Sequence, residues 1–275
     1  MNLDFYNVGK FCTQIRLRKS GCKIDLSPIT FISPFALVYL GMYLRHHNSL
    51  GYRFRVQPPE ATTVRDYLAR QQFWERFNFS PETIAEERLR RLTTSTSLND
   101  IVDIENVHYV GDDIGQKVRG VLISSGCYVS PDRVSLMVSE LVDNFAQHSG
   151  KKLAALALQY YPRLGALRIS IADCGIGIRA SLSENPKHRW LENEPHHISA
   201  LEALKLGVSR KPRGQGGVGF LDVLDGIDEL GGLLRLATGD EYITIRKKQP
   251  TWGQMHYDLP GVQIELSFPA GRFFK

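Results

Sequence analysis

Three stretches in the second half of the chain hold residue types that could handle a nucleotide. The first is Glu140-Leu-Val-Asp-Asn144-Phe-Ala-Gln-His148. Glu140, Asn144 and His148 recur at every fourth position, which on a helix sets them in one row. Val134, Met137, Val138, Leu141 and Phe145 fall on the other side and can pack on a sheet. A carboxylate and an amide in one row could set a water and a divalent ion beside a phosphate, because Mg2+ takes oxygen ligands and keeps several waters. By itself, the row reads better as the solvent face of an amphipathic helix.

The second stretch is Ile169-Ser-Ile-Ala-Asp173-Cys-Gly175-Ile-Gly177-Ile, a strand that ends at an acid and then turns through two glycines. An aspartate at a strand end can accept a hydrogen bond from an exocyclic amine such as that of adenine. Glycines let the backbone pass close to a base. A plain strand-to-loop turn with Asp as the turn former accounts for the same residues. The third stretch is Gly214-Gln-Gly216-Gly217-Val218-Gly219-Phe-Leu, glycine-rich backbone ahead of a helix. Its amides, helped by the helix dipole, suit phosphate. Lys211 and Arg213 just before it could reach a γ-phosphate, and a flexible solvated loop is the alternative. The spacing also fits G-x-G-x-x-G. The preceding Ser209-Arg-Lys-Pro-Arg213 does not read as the strand a dinucleotide site requires. No G-x-x-x-x-G-K-S/T motif occurs, which excludes a P-loop enzyme at motif level.

The elements that must position these residues follow from local signals. Ser130 and Pro131 supply an N-cap and a first-turn proline, so a helix is predicted through His148 with Gly150 as its C-cap. Leu153 to Tyr160, Leu167 to Ala172, Leu233 to Thr238, Tyr242 to Lys247 and Val262 to Phe268 read as strands. Gly219 to Leu230 reads as a helix, and Pro186 to Arg213 as a long, polar, partly helical segment. A helical layer on a mixed sheet is the expected architecture. Nearer the N-terminus the chain alternates strand (Cys22 to Leu26), helix (Pro34 to His46, apolar on most faces), strand (Tyr52 to Gln57) and helix (Thr62 to Phe77). Pro58-Pro59 ends the second of these strands. A small α/β domain follows from this alternation. Pro81 to Asp113 is more polar and reads as a connector.

In their order and spacing the three stretches resemble the GHKL superfamily, the ATPase fold shared by gyrase, Hsp90, the histidine kinases and MutL. The Glu140–His148 helix resembles its N box, the Asp173 loop its G1 box and the Gly214 loop its G2 box, together spanning roughly half the chain. The Glu-x-x-x-Asn-x-x-x-His form is most similar to the anti-sigma-factor serine kinases. The resemblance implies a Bergerat-type α+β sandwich over residues 101–275. It implies Mg2+ held by Asn144, adenine bound by Asp173, and Glu140 as general base. His148, Gly175, Gly177, Gly214, Gly216, Gly217, Val218 and Gly219 would surround ATP, with Lys211 and Arg213 as phosphate contacts. Ile178 to Arg213 would be the mobile ATP lid. Cys174 departs from the family, where a polar residue, often Asn, is common. The paired phosphoacceptor helices of a sensor histidine kinase are not found ahead of this region.

Residues 1–100 resemble a STAS domain, the fold of anti-anti-sigma factors, through Ile24-Asp-Leu-Ser-Pro-Ile-Thr-Phe-Ile-Ser-Pro-Phe-Ala-Leu37. The family's Asp-Ser-Ser-Gly segment, which carries its phosphorylated serine, falls where this chain has Ser33-Pro-Phe-Ala36, so the switch serine is missing. The expected function is Mg-ATP binding with hydrolysis, or γ-phosphoryl transfer to a protein serine in an anti-sigma-like system. The alternative is an ATP-gated interaction switch with little turnover. The partner would be a STAS-like or sigma/anti-sigma-type regulator, and a homodimer is a family-level expectation. A DNA clamp of the MutL or gyrase type ranks last: it would carry a transducer domain, and few residues follow Pro269.

Composition agrees with a globular protein: 43% hydrophobic and 23% charged residues exclude a disordered chain. The net charge of +5 comes in short runs such as Arg16 to Lys19 and Arg246 to Lys248, which read as solvated faces rather than one nucleic-acid stripe. The four cysteines match no zinc or C-x-x-C spacing and read as free thiols of a reducing cytosol. The pairs His46-His47 and His196-His197 point apart on a helix and make no metal site. No signal peptide is evident, and no apolar stretch is long enough to span a bilayer. A cytoplasmic location is expected.

Overall fold

The computed structural model describes residues 1–77, 97–103, 110–149, 153–205 and 219–270. The first part of the chain forms β1 (Asn2–Leu3), α1 (Val8–Thr13), β2 (Cys22–Asp25), β3 (Phe31–Ile32), α2 (Pro34–Ser49), β4 (Phe54–Gln57), α3 (Thr62–Arg70) and α4 (Phe73–Arg76). Then come β5 (Ser97–Asp103), α5 (Val110–Ser124), α6 (Pro131–His148), β6 (Leu153–Tyr161), β7 (Ala166–Asp173) and α7 (Gly177–Ser183). A 3-10 helix (Pro186–Asn193), α8 (His196–Ala203), α9 (Gly219–Glu229), β8 (Leu233–Arg246) and β9 (Gln249–Pro269) complete it.

Helices and sheet are thus mixed throughout, as the alternation of signals predicts. The large sheet has the order β5-β6-β7-β9-β8, and every neighbouring pair is antiparallel. The expectation of a mixed sheet is therefore corrected. Tight turns, Pro162 to Gly165 and Lys247-Lys248, join β6 to β7 and β8 to β9, and only antiparallel strands can be joined so briefly. Among the described residues, parallel pairing is confined to two short pairs, β1 with β3 and β2 with β4. The connector reading is also corrected. Ser97–Asp103 pairs along its whole length with β6, and α5 begins at Val110. The boundary drawn at residue 100 falls inside β5.

Alternation along the strands builds two different faces. Leu156, Leu158, Ile169, Ile171, Ile264 and Leu266 point into a core shared with the later helices, α5 to α9. Ala155, Ala157, Ala172 and Ala237 point the other way, into a core shared with α1 to α4. The small side chains admit α2, whose residues Phe35 to Leu44 are buried almost throughout. The sheet is covered on both sides, and α2 packs directly on it.

The cap expected at Ser130-Pro131 is present: Ser130 Oγ accepts from Arg133 N at 3.3 Å and Pro131 opens α6. Ser33 caps α2 in the same way, its Oγ accepting from Ala36 N at 3.2 Å ahead of Pro34. The proposed Gly150 cap lies outside the described residues. The helix read over Thr62 to Phe77 breaks in two at Gln72, which takes a left-handed conformation with φ 51°. The strands read separately before and after Gly239 are one strand with an irregularity there, and β9 begins well before Val262. All four cysteines are free and buried. Among the described residues no helix is long and apolar enough to cross a membrane.

Candidate functional site

The site is assembled around α6. Its buried side carries Val134, Met137, Val138, Leu141 and Phe145, while Glu140, Asn144 and His148 are half-buried. The predicted row therefore exists and lies at the edge of the helical layer. The Asn144 Nδ2 group is buried with no hydrogen-bond partner among the described residues. A buried amide without a partner carries a desolvation cost, which a ligand or water at this point would relieve. Burial, then the neighbouring Asp143, Asp222 and Asp112 carboxylates, raises the Glu140 carboxyl above the usual range. Helix α5 comes close enough to bring in Asp112 because it meets α6 through glycines. A Cβ on Gly111 would lie 2.5 Å from Asp143 Oδ1, and Ser139 Oγ donates to Gly111 O at 2.9 Å.

Asp173 ends β7 and is 1% exposed. One carboxylate oxygen accepts from Gly175 N, the other from Val262 N at 3.3 Å. Burial pushes its carboxyl up to about 7, and the two backbone donors oppose that rise without cancelling it. The glycines around it are needed for closeness. A Cβ on Gly261 would lie 2.5 Å from Asp173 O, and one on Gly175 would collide with the Ser149 carbonyl. Gly177 opens α7 with φ 77°. Behind it, Thr238 Oγ1 accepts from Ile178 N at 3.4 Å and donates to Gly261 O at 3.0 Å.

The Asp173 loop touches the end of α6: Ile176 N donates to Ser149 O at 2.9 Å. Two of the three predicted pieces therefore meet. Of the third, Lys211, Arg213, Gly214, Gly216, Gly217 and Val218 lie outside the described residues. Gly219 opens α9, which packs against α6 through an Arg133–Glu229 ion pair at 2.9 Å. Asp222, in the first turn of α9, is among the charges acting on Glu140, so α9 starts on the Glu140 side of the site.

The lid reading needs correction over the part described. From Ile178 to Lys205 the chain is largely helical and gives Ile178, Leu182, Leu191, Ala200 and Leu204 to the core. Those apolar residues anchor it, and the remainder to Arg213 lies outside the described residues. Thr238, Gly261, Val262 and Gln263, whose Nε2 donates to Asp173 O at 3.2 Å, were not singled out in the sequence. Their neighbourhood was read only as strand ends at Thr238 and Val262; the Pro260-Gly261 pair, a turn signal, is what could have pointed there.

Among the described residues no group of three or more His, Cys, Asp and Glu side chains is arranged to hold a metal. An ion held by one amide oxygen and by phosphates would not require such a group, so the donor set fits Mg2+ brought in with a nucleotide. The histidine pairs have structural partners. His47 bonds Tyr43 O and Tyr257 Oη, both at 2.9 Å, and His197 donates to Glu241 from its backbone N and Nδ1. No protein-family model matches the chain, and no curated protein matches it.

Proposed function

We propose that the chain binds Mg-ATP between α6 and the Asp173 loop in the manner of a GHKL ATPase, and that the N-terminal layer is a degenerate STAS-like regulatory piece. The observation that carries this reading is Asp173 itself. A carboxylate buried among close-packed glycines, with both oxygens aimed by backbone N–H groups, is preorganised to accept a hydrogen bond from an adenine amine. Asn144 supplies an amide oxygen for Mg2+, and the Gly214 to Gly219 loop would offer backbone amides to the phosphates. When bound, Mg2+ neutralises phosphate charge. Glu140 takes the proton of a water or a protein serine as that oxygen attacks the γ-phosphorus and ADP leaves. Burial and the neighbouring carboxylates raise its carboxyl, which makes it a stronger base than a free glutamate. Positioning and charge stabilisation would supply most of the rate.

Thermal unfolding with and without Mg-ATP tests the site. Ligand that binds only the native state stabilises it by about 2.7 kcal/mol at a hundredfold excess over Kd. The wild type should shift upward in Tm, and Asp173→Asn should lose the shift. Because Asn places an amide against backbone donors, the variant must first show a cooperative transition of its own. An unshifted wild type rejects the adenine site.

A second reading, an ATP-gated interaction switch with little turnover, is favoured by one contact. Cys174 Sγ donates to Met42 O at 3.5 Å, so the residue after Asp173 touches α2 across the sheet. Occupancy of the loop could bias the N-terminal layer toward a protein partner of the STAS or anti-sigma type, provided the partner binds the two states unequally.

A further inference from the structure

The β8–β9 hairpin, α8 and α9 enclose a groove of about 230 Å3, away from the Asp173 loop. Its floor is apolar, from Leu204, Leu221, Leu224, Ile227, Ile245 and Pro250. Drug-sized ligands occupy sites from about 300 Å3 upward, so the volume better suits one large side chain. The rims carry opposite charge: Lys205, Lys247 and Lys248 on the α8 and hairpin side, Asp225 and Asp228 on α9. Lys248 is paired with Asp225 at 3.1 Å, while Lys247 and Asp228 stand exposed, one on each rim. Both lysines of the turn are left-handed, φ 51° and 57°. That conformation favours Asn-Gly and costs about 1 kcal/mol or more for other residues.

Next to the groove stands a knob. Trp252 pairs with Ile243 just as Pro250 pairs with Ile245, so the indole lies on the groove's side of the hairpin, two residue pairs further along. It is 58% exposed, yet it is held flat on the His197 ring at 4.4 Å and 7°. Glu241 pins that imidazole through a 2.9 Å bond to Nδ1. A tryptophan already fixed in one rotamer loses little entropy on docking, and tryptophan is among the residues most often dominant at interfaces.

We infer that this face binds a second copy of the chain about a two-fold axis, each Trp252 entering the other copy's groove. Knob, apolar hole and opposite charges on one face make the surface self-complementary, which is what an isologous contact requires. Rotation about the axis sets the lysine rim of one copy against the aspartate rim of the other. The inference is independent of the nucleotide site.

Sedimentation of the full chain over a concentration series, without nucleotide, tests it. The wild type should show a reversible dimer. Trp252→Ala and, separately, Pro250→Glu should each raise the dimer Kd by roughly tenfold or more while keeping the wild-type melting profile. Lys247→Glu and Asp228→Lys should each weaken the dimer by a few fold, and the double variant should recover it, since exposed pairs contribute little individually. A wild type that stays monomeric at its highest soluble concentration overturns the inference. So does a dimer indifferent to both Trp252→Ala and Pro250→Glu, which would place the contact on another face.

Discussion

The two faces of the large sheet are built from the same strands but differ in what they carry. On one, Leu156, Ile169, Ile171, Ile264 and their neighbours hold α5 to α9 at ordinary distance, and the helix ends and loops leave room for polar groups such as Glu140 and Asn144. On the other, Ala155, Ala157, Ala172 and Ala237 let a nearly all-apolar α2 lie close, and the layer is filled by aromatic contacts such as Phe5–Phe35 and Tyr43–Tyr257. One polar cluster there is tied together: Arg235 pairs with the buried Glu265 and donates to Tyr6 Oη. Large residues thus build a face with usable gaps, and small residues build one that is closed. Asp173, the last residue of β7, stands at the junction, with its side chain toward the helices and the next residue touching α2.

The strongest way to sharpen this contrast is Glu140→Ala. Loss of a general base costs typically two to four orders of magnitude in turnover. ATP hydrolysis or serine phosphorylation should fall by about that much, while Mg-ATP still raises Tm as in the wild type. Normal turnover in the variant would remove Glu140 from the chemistry and assign the proton transfer to another group.

Ala157→Leu probes the closed face. Overpacking a tight core destabilises by about 1–3 kcal/mol, so the denaturant midpoint should drop. Nucleotide binding, on the other side of the sheet, should persist. An unchanged midpoint would mean that α2 does not seal this face.

The smallest effect concerns the junction. The accepting form of Asp173 is the carboxylate, and its carboxyl titrates at about 7. ATP affinity should therefore be full well above pH 7 and weaken as pH falls, by up to about tenfold per unit once below it. The stability sign is opposite. A carboxyl raised in the folded state binds more protons there than when unfolded. Asp173 therefore destabilises above pH 7, and that penalty is relieved as pH falls from 7 toward the unfolded value. Affinity measured between pH 6 and 8 decides the matter, since a flat profile would exclude Asp173 as the acceptor.

Local residue chemistry alone determined a good deal here. Ser130-Pro131 and Ser33-Pro34 started helices where they occur, the four-residue spacing put Glu140, Asn144 and His148 in one half-buried row, and β7 ended at Asp173. These depend on neighbours a few positions away, which a sequence displays directly. Other features depend on partners far along the chain. The strand at Ser97–Asp103 has too little hydrophobic alternation to declare itself and exists because β6 offers an open edge. The antiparallel order, the docking of α2 on the alanine face, the anchoring of Ile178 to Lys205, and the meeting of Ile176 with Ser149 were decided by tertiary packing. So was the state of Asp173: its identity is written in the chain, but its burial and raised proton affinity come from Gly261 and Val262, nearly ninety positions away.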